Sequence, residues 1–181
     1  PGLGRKKTTQ NLIKKLIEKI NKPLILDADG LSPFSGKLIN LNKRSPKLVI
    51  TPHFGELSQL IGYESKMIKS NFTQIMDEMY KNFNHVILVK QIPNCTIYKQ
   101  KGIINIAGNS GLATAGTGDV LSGLVSGLIA QGFNPMIGAS LGAFIHGKAS
   151  DDLIQTKGYR GQIASDLLKI IPNIISKYEQ T

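Results

Sequence analysis

The sequence predicts an α/β fold with three layers (αβα), in which helices cover both faces of a mostly parallel sheet. Two observations support this prediction. Short apolar runs that stop in polar residues or glycine, as buried parallel strands do, recur along the chain. They alternate with segments of helical periodicity, and this alternation is typical of a parallel sheet covered by helices. With 181 residues, we expect a single domain over residues 1–181.

Two helices and two strands are predicted in the first third of the chain. Thr8 or Thr9 can cap a helix whose apolar residues recur on one face. The run LILDADG (24–30) predicts a buried strand that ends in acidic residues and glycine. The segment KLVITPHFGE (47–56) repeats this pattern and continues into an amphipathic helix.

The remaining elements follow in the same order. A helix near 70–83 precedes a third apolar strand, HVILVK (85–90). The segment CTIYKQKGIINIA (95–107) predicts a hairpin with its turn at Lys101–Gly102. Three helices are expected after the hairpin, near 119–131, 135–155 and 162–178.

Composition excludes several classes of protein. The net charge of +10 comes from scattered basic residues without a nucleic-acid-binding motif, so we expect no nucleic-acid partner. A solvated basic surface is favoured, with attraction of an anionic substrate as the alternative. No run reaches the ~18 apolar residues of a membrane span, so no membrane partner is expected. A single cysteine excludes an intramolecular disulfide and fits a reducing, cytoplasmic location.

Three residues with reactive side chains lie outside any recognisable site pattern. Cys95 has no metal-binding or redox spacing, and we expect it to be structural. His146 lies in an apolar helical segment, which favours packing over catalysis. His85 precedes a strand, and we expect it on the surface.

Polar side chains follow all three predicted parallel strands. In an open α/β sheet, ligands bind beyond the carboxyl ends of the strands. These ends therefore predict a site that gathers carboxylates, a histidine and a lysine. The residues are Asp27 and Asp29 after the first strand, Thr51, His53 and Glu56 after the second, and Lys90 at the end of the third.

The segment AGTGD (115–119) is the most specific local signal. The first N–H groups of a helix are unpaired, and the helix dipole adds positive potential there. Gly116 and Gly118 would let a phosphate approach the backbone closely. We therefore predict a phosphate site with Asp119 as general base. The alternative is that Asp119 only caps the helix, which leaves the two glycines unexplained.

Simpler structural roles stay open for the strand-end residues. His53 follows a proline at a helix start and could only cap that helix. Asp27 and Asp29 could only fix a turn through side-chain hydrogen bonds. Lys90 could be an ordinary edge lysine.

The segment GNSGLATAGTGDVLSGLVSGLIAQG (108–132) resembles the signature loop and helix of the ADP- or ATP-dependent NAD(P)H-hydrate dehydratases. These are ribokinase-like proteins, often fused to an epimerase domain. The resemblance runs almost from end to end, because further segments are similar to family motifs in family order. These segments are PGLGR (1–5), PLILDADGL (23–31), VITPHFGEL (49–57), LGAFIHGKASD (141–151) and GYRGQIASDLL (158–168).

The resemblance implies a repair reaction and a set of substrate contacts. The family restores NADH or NADPH from a form hydrated on the nicotinamide ring. A nucleotide phosphorylates the ring hydroxyl, and phosphate is then eliminated. Asp119 matches the aspartate that binds the substrate and takes the hydroxyl proton. Gly4 and His53 match substrate-contacting positions.

The resemblance also implies ADP or ATP as co-substrate and Mg²⁺ as cofactor. Glu56 resembles the glutamate that related small-molecule kinases use near Mg²⁺, through water. The amides of Thr117 and Gly118 would face the transferring phosphoryl group. The residues implied to bind the nucleotide are Lys90, Gln91, Ile92, Pro93, Asn94, Gly116, Thr117 and Gly118.

The sequence departs from the family at the loop after the third strand. The family has lysine–glycine–alanine there, whereas this chain has KQIPNCT (90–96). Gln91 replaces the glycine that permits close backbone approach, and Pro93 removes an N–H donor. The choice between ADP and ATP therefore stays open.

The second departure lies at the start of the chain. The family's domain has further strands before the segment that matches Pro1. We therefore expect a domain that lacks its N-terminal strands, with an exposed sheet edge that favours self-association. The missing part would be joined covalently or as a second chain, with an epimerase domain as one candidate neighbour.

Two other functions compete with the dehydratase. A ribokinase-like kinase of a small hydroxylated metabolite or vitamin precursor would share Asp119 and its loop. The segments TPHFGE and PGLG resemble the dehydratase form more closely. The third candidate is a nucleotide-binding module without catalytic activity, favoured if the altered loop abolishes turnover.

Overall fold

The structure is a computed structural model that describes residues 1–43 and 47–179. The chain divides into two units. The first unit holds residues 1–91 and 95–103, and the second holds residues 92–94 and 104 onwards. The expectation of one domain over residues 1–181 stays a prediction.

A mixed five-stranded sheet has the strand order β1-β2-β3-β4-β5. Strands β1, β2 and β3 are parallel, and β4 pairs antiparallel with β3. Every residue of β2 and β3 is buried, as expected for parallel strands covered on both faces. The strands are β1 (Leu24–Leu26), β2 (Leu48–Ile50), β3 (Val86–Val89), β4 (Asn94–Tyr98) and β5 (Lys101–Asn105).

Four helices of the first unit pack apolar residues into its core. They are α1 (Lys7–Lys19), α2 (Phe54–Ile61), α3 (Ser65–Ser70) and α4 (Phe72–Asn82). Three short 3₁₀ segments, Ala28–Gly30, Ser32–Phe34 and Leu38–Lys43, lie between β1 and β2. The core includes Ile13 and Ile17 of α1 with Leu57 and Leu60 of α2. The predicted caps of α1 are wrong, because Lys6 takes the N-cap position and Thr8 lies inside the helix.

The hairpin turn lies at Lys99–Gln100, two residues before its predicted position. Both residues have positive φ, 40° and 62°, as in the two-residue turns that join twisted antiparallel strands. The hydroxyl of Tyr80 donates a hydrogen bond to the carbonyl of Gln100 and supports this turn. Gly102 instead lies within β5. The glycine therefore misled the prediction, because the two turn positions with positive φ are taken by Lys99 and Gln100.

Three helices form most of the second unit, as the sequence predicts. They are α5 (Thr117–Ala130), α6 (Pro135–Lys157) and α7 (Ala164–Glu179). A 3₁₀ segment, Ser110–Ala113, precedes them. Asn134 caps α6 by accepting a hydrogen bond from the Met136 amide, next to a proline at the first helical position. Apolar residues of all three helices share one core, which includes Leu128, Ile145 and Leu167.

Glycines on α6 let α5 approach closely. A Cβ at Gly142 would lie 2.7 Å from Cγ2 of Val125 and 3.4 Å from its Cα. One turn earlier, a Cβ at Gly138 would lie 2.8 Å from Cγ1 of Ile129. Because atoms of a side chain do not fit there, the two helices pack at a distance that only glycine permits.

Within the described residues, no helix is long and apolar enough to cross a membrane. The longest helix of the described part of the chain, α6, has 23 residues but carries charged residues in its second half.

We expect Gly142→Ala to destabilise the protein and Gly127→Ala to stabilise it. The new methyl group at Gly142 overlaps Val125, and such overpacking costs about 1–3 kcal/mol of the free energy of unfolding. A methyl group at Gly127 of α5 meets open space among the described residues, so the helix propensity of alanine should add about 0.5–1 kcal/mol. Urea unfolding of both variants measures the difference. A Gly142→Ala variant as stable as Gly127→Ala would contradict the close packing.

Candidate active site

Three strand ends of the first unit meet at a buried ion cluster. Nζ of Lys90, after β3, lies 2.5 Å from Oδ1 of Asp27, after β1. The same Nζ lies 3.7 Å from Oε2 of Glu56, which follows β2. The side chains of Lys90 and Asp27 are 19% and 2% exposed. Lys90 is therefore not an ordinary edge lysine, since its ammonium group contacts two carboxylates of the cluster.

His53 caps α2 and at the same time presents a hydrogen-bond donor. Its Nδ1 accepts hydrogen bonds from the amides of Gly55 and Glu56, at 2.9 and 3.2 Å. The Glu56 carboxylate accepts from the His53 amide in return, at 2.9 Å, which completes a capping box. Because Nδ1 is an acceptor, the proton of the neutral ring sits on Nε2. The side chain is 57% exposed, so the predicted capping role leaves Nε2–H accessible to a ligand.

Asp29 holds the turn at the start of the chain. Its Oδ2 accepts a hydrogen bond from the Gly4 amide at 2.9 Å, and its Oδ1 accepts from Nε of Arg5 at 3.1 Å. The Gly4 amide, followed by Arg5, lowers the pKa of the Asp29 carboxyl from its usual value of 3.8. Gly4 has φ +76°, a conformation that favours glycine. Asp29 therefore fixes the glycine-rich PGLGR turn rather than only its own turn.

A small cavity in the first unit lies between the PGLGR turn and Glu56. Arg5 and Glu56 both line it, together with Ser32 and Ser35. The first unit thus brings together the turn at Gly4 and the end of β2.

The glycine-rich loop of the second unit ends at the exposed N-terminus of α5. Gly116 takes the N-cap position with φ +86°. Thr117 is buried, and its hydroxyl donates to the carbonyls of Leu112 and Thr114, at 2.6 and 2.8 Å. Asp119 is exposed at the third helical position. The alternative that Asp119 is the N-cap is therefore wrong, because Gly116 occupies that position.

Four of the predicted nucleotide contacts, residues 90–93, lie in the loop after β3, and a fifth, Asn94, is the first residue of β4. Gln91 is partly buried, Ile92 and Pro93 are exposed, and Asn94 is buried. Gln91 belongs to the first unit and the other three residues to the second. The nucleotide contacts of Lys90 and this loop stay predictions.

The structure buries all three residues that the sequence places outside a site pattern: His85, His146 and Cys95. The surface position predicted for His85 is wrong, because the ring is 3% exposed and bridges two backbone segments. Its Nδ1 accepts from the Leu48 amide, and its Nε2 contacts the Leu41 carbonyl at 2.6 Å. His146 is buried in α6, as expected. Cys95 is buried, and burial raises the pKa of its thiol, which agrees with a structural role.

Sequence reasoning missed two residues that organise these sites. Arg5 follows the PGLG turn directly, but its partner Asp29 lies 24 positions away. Asp151 lies in the LGAFIHGKASD segment and contacts the backbone of Gly108, 43 positions away. The only available signal was that both lie in segments that resemble family motifs. Within the described ranges, no group of three or more His, Cys, Asp or Glu side chains could hold a metal ion.

Comparison with known proteins identifies the family. The model of the NAD(P)H-hydrate dehydratase family matches residues 1–173. The chain belongs to this family. A bifunctional NAD(P)H-hydrate repair enzyme, Nnr, from Moorella thermoacetica is 35% identical over 181 residues, covering 99% of this chain and 34% of the relative. An ADP-dependent (S)-NAD(P)H-hydrate dehydratase from Neisseria meningitidis is 34% identical over 161 residues, covering 84% of this chain and 51% of the relative.

A solved structure supports the fold class. The ADP/ATP-dependent NAD(P)H-hydrate dehydratase from Bacillus subtilis, co-crystallized with ATP/Mg²⁺, matches with a TM-score of 0.87 and 23% identity. The match covers 98% of this chain and 62% of that chain. The predicted ribokinase-like α/β fold is thus confirmed. The chain spans about a third of the length of the repair enzymes that it matches.

We expect Lys90→Met to destabilise the first unit strongly. The change leaves the buried carboxylate of Asp27 without its ion-pair partner Lys90, and breaking a buried pair in this way costs about 3–5 kcal/mol. The double variant with Asp27→Asn should lose less than Lys90→Met alone. Lys81→Met, which breaks an exposed pair with Asp77, is the control and should leave stability unchanged within error. Equal urea midpoints for Lys90→Met and Lys81→Met would contradict a stabilising buried pair.

We expect the contribution of Asp29 to stability to disappear in acid. Its pKa is lower in the folded chain than the usual 3.8, so its stabilisation is complete above that value. The stabilisation is lost as the pH falls through the lowered pKa. Urea unfolding of the wild type and Asp29→Asn, between about pH 6 and about pH 2, should give a stability difference that shrinks toward acid. A difference independent of pH would contradict this account, and Asp77→Asn controls for removing a carboxylate.

Proposed function

We propose that this chain catalyses the nucleotide-dependent dehydration of NAD(P)H hydrate to NAD(P)H. The observation that carries the proposal is the N-terminus of α5, where an exposed carboxylate, Asp119, lies one turn after a glycine N-cap. Helix N-termini of this kind bind phosphate, because unpaired amides and the helix dipole favour an anion. The membership of the chain in the NAD(P)H-hydrate dehydratase family supports the same reaction.

Asp119 is proposed as the general base of the reaction. It takes the proton of the ring hydroxyl while the hydroxyl oxygen attacks the terminal phosphoryl group of the nucleotide. The Gly118 amide would stabilise charge on the transferring group, and so would the Thr117 amide if a phosphate replaced its 3.3 Å hydrogen bond to the Thr114 carbonyl. The ring C–O bond then breaks, phosphate leaves with the bonding electrons, and a proton lost from the neighbouring carbon restores the double bond. Phosphorylation matters because phosphate leaves far more readily than hydroxide.

His53 and the Gly4 turn are proposed to contact the hydrated substrate. The tautomer of His53 decides the kind of contact, because Nδ1 is committed to the capping box and only Nε2 carries a proton. His53 would therefore donate a hydrogen bond to a substrate oxygen. Asp29 would support the turn through its hydrogen bond from the Gly4 amide.

The segment 90–94 is proposed to contact ADP or ATP, with Gly116 to Gly118 at the phosphates. The ammonium group of Lys90 already contacts Asp27 and Glu56, which favours contacts from the loop Gln91–Asn94 over contacts from the Lys90 side chain. The Neisseria relative is named ADP-dependent, and the Bacillus neighbour ADP/ATP-dependent. Both nucleotides are therefore candidates.

Mg²⁺ is proposed to accompany the nucleotide. Mg²⁺ is usually held by one or two carboxylates, by phosphates and by several water molecules. Glu56 fits such an outer position, because both of its carboxylate oxygens already have protein neighbours. Oε2 accepts from the His53 amide, and Oε1 lies 3.5 Å from Nε2 of His53. Glu56 would contact the water shell of the ion. The ion itself would neutralise charge on the phosphate oxygens.

Partners and location also remain proposals. The Moorella and Salinibacter relatives are named bifunctional repair enzymes, which supports an epimerase domain as a partner of the dehydratase. Self-association and a cytoplasmic location stay predictions.

The test is recovery of the near-ultraviolet absorbance of the reduced nicotinamide ring. Purified chain is incubated with hydrated NADH or NADPH, Mg²⁺, and ADP or ATP. We expect recovery that requires nucleotide, and a loss of about 10²–10⁴-fold in kcat for Asp119→Asn, because the base is removed. Asp77→Asn, on the exposed face of α4, is the control and should keep wild-type activity.

Product analysis separates the alternatives. Release of NAD(P)H with inorganic phosphate supports the dehydratase, whereas a stable phosphorylated metabolite would indicate a kinase. Nucleotide binding without turnover would contradict the proposed activity of this chain, and so would full activity of Asp119→Asn.

A further inference from the structure

A polar network in the second unit holds the segment Gly108–Gly111, which leads into the phosphate loop, as we call the glycine-rich residues 115–118 at the start of α5. Oδ2 of Asp151, on α6, accepts a hydrogen bond from the Gly108 amide at 3.0 Å. Oδ1 of the same carboxylate accepts from Nδ2 of Asn109 at 3.1 Å. Oδ1 of Asn109 in turn accepts from the Gly111 amide at 2.9 Å. One carboxylate therefore sets both the backbone and the side-chain orientation at the start of the loop.

Gln162 closes the network from the other side. It is 2% exposed, and its Oε1 accepts from the Ser150 hydroxyl at 2.6 Å. Its Nε2 donates to the carbonyl of Gly158 at 3.0 Å and lies 3.4 Å from Oδ1 of Asn109. A buried amide with this many partners restricts the position of the groups that it contacts.

Two glycines show how closely the segment is packed. A Cβ at Gly147 of α6 would lie 2.5 Å from the carbonyl oxygen of Ala107. A Cβ at Gly111 would lie 2.5 Å from Cδ of Gln162. The backbone of this segment thus touches α6 on one side and Gln162 on the other, and it cannot shift toward either.

Hydrogen bonds continue from this network to the start of α5. The Leu112 amide donates to the Asn109 carbonyl at 3.1 Å, and the Thr114 hydroxyl donates to the Gly111 carbonyl at 3.0 Å. The Thr117 hydroxyl donates back to the carbonyls of Leu112 and Thr114. Each link spans five residues or fewer, so hydrogen bonds connect Asn109 continuously to Thr117.

We propose that Asp151 is a positioning residue for the phosphate loop, acting through Asn109 on the N-terminus of α5 that carries Asp119. This inference rests on the proposed dehydratase function. Its chemical basis is that Asp151 accepts two hydrogen bonds in one geometry. An asparagine at this position keeps one acceptor oxygen. Its NH₂ group would face one of the two donors, the Gly108 amide or Nδ2 of Asn109, and could not accept a hydrogen bond from it.

The experiment compares Asp151→Asn with Asp152→Asn. The control residue lies next to Asp151 on α6, but within the described residues its carboxylate contacts Nζ of Lys177, at 2.9 Å, and not the Gly108–Gly111 segment. We expect Asp151→Asn to lower kcat about 10- to 100-fold, because small misplacement of reacting groups costs this much. The KM values for nucleotide and hydrate should change less than about 3-fold, because ground-state contacts are retained. Asp152→Asn should match the wild type.

A compensating pair tests the hydrogen-bond geometry itself. Asn109→Asp alone sets two carboxylates against each other and should also lower kcat. In the double variant, the amide of Asp151→Asn can donate to the carboxylate of Asn109→Asp and still accept from the Gly108 amide. We therefore expect the double variant to regain most of the lost kcat, a coupling that independent sites do not show.

Amide hydrogen exchange over residues 108–118 gives a readout that does not require activity. Exchange at Gly108 and Gly111 should quicken in Asp151→Asn and not in Asp152→Asn. If the wild type restores no NAD(P)H, the proposed function fails, and this exchange pattern alone decides whether Asp151 positions the loop. Unchanged exchange in Asp151→Asn would overturn the inference. A kcat equal to that of Asp152→Asn, or a loss that the double variant does not recover, would overturn it too.

Discussion

The ion pair between Lys90 and Asp27 joins the ends of β3 and β1, and the strand-end site of the first unit depends on it. Glu56, after the intervening strand β2, lies within reach of the same ammonium group. Charges with so little exposure are tolerated only when opposite charges lie beside them. The pair therefore holds side chains from three neighbouring strand ends in one cluster. It also decides which groups remain for a ligand, because the lysine is already engaged with carboxylates.

The second unit depends on the close approach of α6 to neighbouring backbone segments. Gly142 and Gly147 of α6 leave no room for a side chain against Val125 and Ala107. A helix that carried larger residues at these positions would have to move away from α5 and from the chain before the loop. Asp151 lies one turn after Gly147 and hydrogen-bonds the chain that passes there. Packing and hydrogen bonding thus act on the same stretch of backbone.

Structural and functional roles coincide in several side chains. His53 caps α2 through Nδ1, and this leaves Nε2 as a donor with a defined proton. Glu56 completes the capping box and is the carboxylate proposed to face the water shell of Mg²⁺. In the sequence analysis, capping and substrate binding were alternatives for His53. The geometry allows both, because capping uses Nδ1 as an acceptor and leaves the proton of the half-exposed ring on Nε2.

The sequence by itself determined the α/β class, the family and the order of the helices. It also determined that a glycine-rich loop leads into a helix with Asp119 in its first turn. Periodicity, glycine spacing and motif order are local properties, so a single chain reveals them. Only the tertiary structure decided that Lys90 pairs with Asp27, 63 positions away, and that His85 is buried between two backbone segments. Those outcomes depend on which distant charges and backbone segments the fold brings together, and no local sequence pattern predicts them.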